Sequence, residues 1–148
     1  MILMRVLLSI KPEYADKILS GSKKYEFRKN IFRKKDIQEI VLYSSSPMKR
    51  IVGTCVIGSI IEDHPKKLWR LYREFAGICE EDFFSYFRGR EKGYAIEIKE
   101  IRKFENPVDP WDLDSNFTPP QSFQYISDSF CREISDILNY KRTKRLPI

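Results

Sequence analysis

The chain has 148 residues, of which 42% are hydrophobic, 14% aromatic and 32% charged. That length suits one domain and is short for two, and the composition supports a core under a heavily solvated surface, which excludes wholesale disorder. No stretch approaches the roughly 18 uninterrupted apolar residues of a membrane span. The opening MILMRVLLSI carries Arg5 and lacks a small-residue cleavage site, so it is expected to be a first strand and not a signal peptide.

Three cysteines, Cys55, Cys79 and Cys131, lie far apart and are odd in number, which points to a reducing cytoplasm. With His64 the only histidine, a zinc site lacks ligands; a carboxylate-bound magnesium is not excluded. No cofactor motif is present. The net charge is +6, unevenly spread. Residues 17–35 hold eight Lys or Arg against Glu26 alone, and Lys141, Arg142, Lys144 and Arg145 follow Asn139 without an acid. Residues 105–138 carry seven acids against Arg132. Segregated positive charge is the footprint of a polyanion partner, although lysine-rich loops also occur on ordinary surfaces.

In chain order, Arg5 to Lys11 alternates as a strand, with Val6, Leu8 and Ile10 on one face and Leu7, Ser9 and Lys11 on the other. Pro12 opens a helix that Gly21 ends, with Tyr14 and Ile18 on its buried side. KKYEFRK alternates again, and the basic NIFRKKD is a loop or single turn. Strands are expected at about Gln38–Tyr43 and over IVGTCVIGSII, where Gly53 and Gly58 mark bulges or close backbone approach. Leu68, Leu71, Tyr72 and Phe75 have helical spacing, and a second short helix is expected from Glu80 to Phe87. YAIEIKEIRKF is another strand, Asn106–Pro120 an irregular loop, and SDSFCREISDILNY a last helix capped by Ser127. Sustained strand–helix alternation is absent, so the expected class is α+β, with a mostly antiparallel, barrel-like sheet of about five to six strands and flanking helices. One domain would span residues 1–140, and 141–148 would form a basic C-terminal tail.

The densest constellation is Ser9, Lys11, Gly21, Lys23, Glu26 and Arg28. If the first two strands pair, two cations, an acid and a hydroxyl meet in one small space. Such a cluster suits a phosphate or a base edge, and Glu26 with Lys23 suits acid–base work. A surface ladder of salt bridges is the structural alternative.

These residues also carry a resemblance. LSIKPEYADKILSGSKKYEFRK resembles the opening of the ASCH family, a branch of the PUA-like barrels, whose signature Gly-x-Lys-x-x-Glu-x-Arg is present as Gly21, Lys23, Glu26 and Arg28. IVLYSSSPMKRIVGTCVIG, GYAIEIKEIRKFENPV and PPQSFQYI are similar to later parts of that family, so the resemblance reaches about residue 126. It implies a barrel with a cleft lined by the signature residues and used for RNA or modified bases. Some small members of the family are enzymes, either amidohydrolases that deacylate an acylated cytidine or ribonucleases, so the resemblance also implies a hydrolase as an alternative. In the amidohydrolases a signature lysine acts with a threonine and a glutamate. Lys23 matches that lysine, Glu26 stands in the threonine's place, and the remote glutamate has no counterpart located in this chain.

The leading expectation is an RNA- or nucleotide-binding module in which Lys23, Glu26 and Arg28 read a base or terminal nucleotide, supported by Ser9 and Lys11. Arg33, Lys34, Lys35, Lys49 and Arg50 would hold the backbone, and Trp111, in the proline-rich PVDPWDLD, would stack on a base. As a hydrolase, the same cleft would use Glu26 as general base and Lys23 to stabilise negative charge. A third expectation is a protein partner bound by the aromatic loop around Trp111. Trp69, Tyr43 and Tyr94 are expected in the core, Lys66, Lys67, Arg70 and Arg73 on a solvated helix face, His64 in a structural role, and Cys55 buried and inert.

Overall fold

A computed structural model of the chain describes residues 5–145. Strand β1 (Arg5–Ile10) is followed by helix α1 (Pro12–Ser20), β2 (Tyr25–Arg28), β3 (Glu39–Ser44) and the long β4 (Arg50–Asp63). Helices α2 (Pro65–Tyr72) and α3 (Glu80–Tyr86) come next, then β5 (Gly93–Val108), α4 (Pro110–Leu113), β6 (Phe123–Ile126) and α5 (Asp128–Arg145). The local signals act as expected at the helix ends. Pro12 occupies the first turn of α1, and Gly21, at φ 86°, ends it by returning its N–H to the Ile18 carbonyl. His64 caps α2 by accepting the Lys66 N–H on Nδ1 at 3.1 Å.

The six strands form one mixed sheet in the order β2-β5-β4-β3-β1-β6. Among the described residues β1–β3 is parallel and the other four pairings are antiparallel. The α+β class is therefore as expected, but the sheet is not closed into a barrel: β2 and β6 are its two edges. The first two strands, whose pairing was the condition for their charged residues to meet through a ladder, are not neighbours. β1 lies between β3 and β6, while β2 is bonded to β5, three strands away in the sheet order.

Side chains close the gap that backbone leaves open. Strand β2 is only four residues long, and beyond it the chain runs beside β6. At one end of this seam the Arg28 Nη2 donates to the carbonyls of Ser9 (2.7 Å) and Ser122 (3.1 Å). In the middle, buried Phe32 sets its ring edge-on against Phe123, centroids 5.7 Å apart. At the far end the Tyr125 hydroxyl accepts the consecutive N–H groups of Arg33 (3.0 Å) and Lys34 (3.2 Å).

Both faces of the central strands are covered, which is why β1 and β3 read as nearly continuous apolar runs. One core joins Val6, Leu8, Ile10, Ile40 and Leu42 to Ala15 and Ile18 of α1. A second lies on the other face, where Leu7, Val41, Ile51 and Phe104 meet Ile134 of α5. A third packs Phe27 and Ala95 against Leu68 of α2 and Phe83 of α3. Four elements depart from expectation, one of them β6 at Phe123–Ile126, which follows the expected loop. Strand β5 runs on to Val108, and α4 forms inside the expected loop because Asp109 accepts the Trp111 N–H (2.9 Å) with Pro110 in the first turn. Helix α5 continues to Arg145, through the expected boundary at residue 140, while residues 146–148 of the expected tail lie outside the described residues.

Gly53 sits at a register shift between β4 and β5, where a Cβ would stand 2.5 Å from the Arg102 carbonyl oxygen and 2.8 Å from Leu19 Cδ2. Backbone cannot yield there as a flexible side chain can. Gly53→Ala is expected to lower stability by about 1–3 kcal/mol, read as a lower urea midpoint at unchanged slope. An unshifted midpoint would show that β4 and β5 can separate at no cost.

Candidate functional site

At the Arg28 end of the seam the sheet opens into a cleft of about 720 Å³. Its walls come from the end of β1 and start of α1 (Ser9, Lys11, Tyr14), the turn after β3 (Ser45, Ser46, Lys49), α3 (Asp82, Phe83, Tyr86) and the segment Pro119–Gln121. The floor comes from Lys23, Glu26, Phe27 and Arg28. The ladder with β5 fixes β2, and Lys23 and Lys24 are held just before it by N–H bonds to the Lys17 (3.0 Å) and Phe75 (2.9 Å) carbonyls.

The floor is a buried row of alternating charge. Lys23, only 2% exposed, donates from Nζ to the Ala76 carbonyl at 2.5 Å and lies 3.5 Å from Glu26 Oε1. Glu26 in turn offers Oε2 to Arg28 Nη1 at 3.6 Å. The Lys23 ammonium also faces the rings of Phe27 and Tyr14, with centroids at 5.0 and 5.5 Å. Burial pushes the Lys23 pKa below the usual lysine range, and the charges of Lys17 and Arg28 push the same way, against the pull of Glu26. Above the lysine stem sits Gly77 at φ 63°, where a Cβ would fall 2.5 Å from the lysine Cβ. This glycine lets the segment between α2 and α3 lie directly on Lys23. Arg28 Nε is buried and, among the described residues, has no partner.

Two cations against one carboxylate give the floor a positive field, strengthened where water is excluded. The floor groups are nonetheless committed to one another and to backbone carbonyls. The groups that solvent reaches lie on the walls: the exposed Lys11, Ser46, Lys49 and Asp82, and the half-buried Ser9, Tyr14, Ser45 and Tyr86. Tyr86 accepts the Lys29 N–H at 3.1 Å. Burial raises its pKa, opposed by that bond and by Arg28, and burial likewise raises that of Tyr14. The cleft thus combines rim ammonium groups, aromatic rings and neutral hydroxyl donors over a cationic floor. That chemistry suits a planar, phosphorylated ligand.

Of the residues expected in the site, Ser9, Lys11, Lys23, Glu26, Arg28 and Lys49 converge on the cleft. They meet across the seam and not through a strand ladder. Arg33, Lys34 and Lys35 are exposed along the seam beyond the cleft. Arg50 turns to Asp109 at 3.7 Å. Trp111 is half-buried in the second core, edge-on to Phe117 at 5.3 Å, away from the cleft. Tyr43 is buried as expected, yet also contributes to the cleft wall. Tyr86, Asp82 and Pro119–Gln121 were not anticipated, because nothing in their local pattern shows that α3 and the segment before β6 face β1. Cys55 is buried with its thiol pKa pushed up to about 12, which leaves no thiolate for chemistry. Among the described residues no three His, Cys, Asp or Glu side chains gather as a metal site, and no helix is long and apolar enough to cross a membrane.

Comparison with known proteins supplies the lineage. Residues 3–117 match the family described as "Domain of unknown function (DUF365)". Over 126 residues the chain is 31% identical to a curated Zymomonas mobilis protein, "ASCH domain-containing ribonuclease", covering 81% of this chain and 82% of that one. The crystal structure of ASCH from Zymomonas mobilis superposes with a TM-score of 0.84 at 26% identity, over 90% of this chain and 94% of that one. The N-terminal domain of Staphylothermus marinus McrB shares the fold, with a TM-score of 0.61 at 15% identity over 89% of this chain and 93% of that one. The chain belongs to the DUF365 family and is an ASCH domain.

Proposed function

We propose that the chain binds single-stranded RNA and seats one nucleotide of it in the cleft between β1, α1, α3 and Pro119–Gln121. The observation that carries this reading is the joining of rim cations Lys11 and Lys49 to the rings of Tyr14 and Tyr86 over a buried cationic floor. Rings take a base by stacking, and the ammonium groups take its phosphates. The ribonuclease name of the Zymomonas mobilis relative supports RNA as the polyanion. Lys23, Glu26 and Arg28 position the walls in this reading, and Ser9 offers a hydroxyl to the base edge.

Cleavage of the bound strand is the second reading, favoured by the same relative and by the contact of a buried carboxylate with a lysine whose pKa is depressed. Here Glu26 takes the proton of a ribose 2′-hydroxyl as its oxygen bonds to the adjacent phosphorus, the P–O5′ bond breaks, the departing 5′ oxygen takes a proton from solvent, and Lys23 faces the charge that develops.

Binding of labelled single-stranded RNA is expected to weaken steeply with salt. Lys11→Ala/Lys49→Ala should weaken it further and flatten the salt slope by about 0.7 for each phosphate contact removed. RNA affinity indifferent to ionic strength would sink the binding reading. For cleavage, Glu26→Gln should abolish turnover of a labelled RNA while the melting temperature is read beside it. Turnover that survives in a folded Glu26→Gln protein removes Glu26 as the base.

The depressed Lys23 pKa has a signed consequence for stability. The unfolded chain binds a proton at this lysine up to about pH 10.4, whereas the folded chain releases it earlier, so unfolding takes up protons between the two values. Stability from this group therefore rises with pH across that window. Measured by denaturation at several pH values, the difference between wild type and Lys23→Met should shift in favour of wild type as pH is raised toward 10. A difference flat in pH would mean that Lys23 keeps its ordinary affinity for the proton.

A further inference from the structure

Outside the cleft, the seam between β2 and β6 is flanked by a basic segment. The segment after Arg28 carries Lys29, Arg33, Lys34 and Lys35, opposed locally by Asp36. Two ring–ammonium pairs mark its ends. Lys29 Nζ stands 4.6 Å from the centroid of Tyr86 at the cleft, and Lys34 Nζ stands 4.8 Å from that of Tyr125 at the far end. Tyr125 is 39% exposed, the most open residue of the half-buried edge strand β6, and its hydroxyl is pinned by the N–H groups of Arg33 and Lys34. The ring is thus both presented to solvent and held in place. Pinning the seam would require only the hydroxyl; that role leaves the ring's exposure and its pairing with the Lys34 ammonium unexplained.

We infer that this end of the seam is a second nucleotide subsite, in which Tyr125 stacks on a base and Lys34 and Arg33 hold the adjoining phosphate. The inference rests on the cleft taking a nucleotide, and it makes the ligand a polymer and not a free nucleotide. From Ser122, where Arg28 closes the cleft, to Tyr125 is three strand residues, or about 10 Å. A single nucleotide seated in the cleft does not span that distance with its base engaged; the next residue of a chain does. On binding, the Lys34 ammonium exchanges the ring face for the phosphate, which frees the face for stacking. Both partners improve, because a phosphate is a stronger partner for an ammonium than a ring is. Lys29, on the Tyr86 ring at the cleft end, is the cation nearest the phosphate that would link the two bases.

The test measures dissociation constants of uridine 5′-monophosphate and of a four-residue oligouridylate by calorimetry, for wild type, Tyr125→Ala and Lys34→Glu. Wild type should bind the oligomer more tightly than the monomer. Tyr125→Ala should weaken oligomer binding on the order of tenfold and leave the monomer unchanged. Lys34→Glu, at an exposed position that leaves the pinning N–H in place, should do the same even if Tyr125→Ala loosens the seam. Equal wild-type affinity for the two ligands would overturn the subsite while leaving the cleft reading intact. So would an equal loss for both ligands in Lys34→Glu. Wild type binding neither ligand would instead overturn the cleft reading on which the subsite depends.

Discussion

The Arg28 guanidinium holds together what the sheet cannot. An open six-stranded sheet has two edges, and a curled one must either join them through a ladder or cover them. Here β2 is too short to pair along β6, and one planar cation reaches two carbonyls on the opposite side instead. A guanidinium suits this because its fork of donors is planar and rigid. Burying that charge requires compensation, which Glu26 supplies on one side and the Ser9 and Ser122 carbonyls on the other. Lys23 then answers Glu26 and carries the network to Ala76, so the segment between α2 and α3 is tied to the same point.

This arrangement explains why closure and cleft coincide. Wherever side chains replace a backbone ladder, the strands splay and leave space, and the polar groups that bridge the gap line that space. The signature residues Lys23, Glu26 and Arg28 are therefore first a structural clasp, tied to one another and to backbone carbonyls. The groups that keep solvent access belong to the walls, among them the rings of Tyr14 and Tyr86 and the rim lysines Lys11 and Lys49.

Much of this was legible from residue order. The alternation in β1, the Pro12 and Gly21 limits of α1, and the spacing of Lys23, Glu26 and Arg28 are local properties, and local properties survive tertiary context. The glycines of β4 were informative for the same reason: Gly53 and Gly58 both fall at register shifts. Partner choice was not legible. Nothing in β1 shows that it runs parallel to β3, nor that a ladder is absent between it and β2. Strand β6 escaped because its four residues show no clean inward–outward alternation, and α4 because four prolines outweighed a single Asp–Pro cap. Trp111 in that segment packs onto Phe117 because α4 turns it toward α5. Tyr86 became visible only when α3 was set beside β2.

The pairing of β1 with β6 has a consequence for how the chain acquires its site. The first strand of the sheet waits for a partner more than a hundred residues downstream, and both Ser122, which receives Arg28, and the Pro119–Gln121 wall precede that partner directly. Such distant contacts carry the greatest loop-closure cost and tend to form late. A chain emerging from a ribosome can assemble the β3–β4–β5 meander and its helices while the cleft still lacks a wall and Arg28 lacks one of its acceptors. The cleft is then completed only after the β3–β4–β5 meander, once Pro119–Ser122 and β6 have been added to the growing chain.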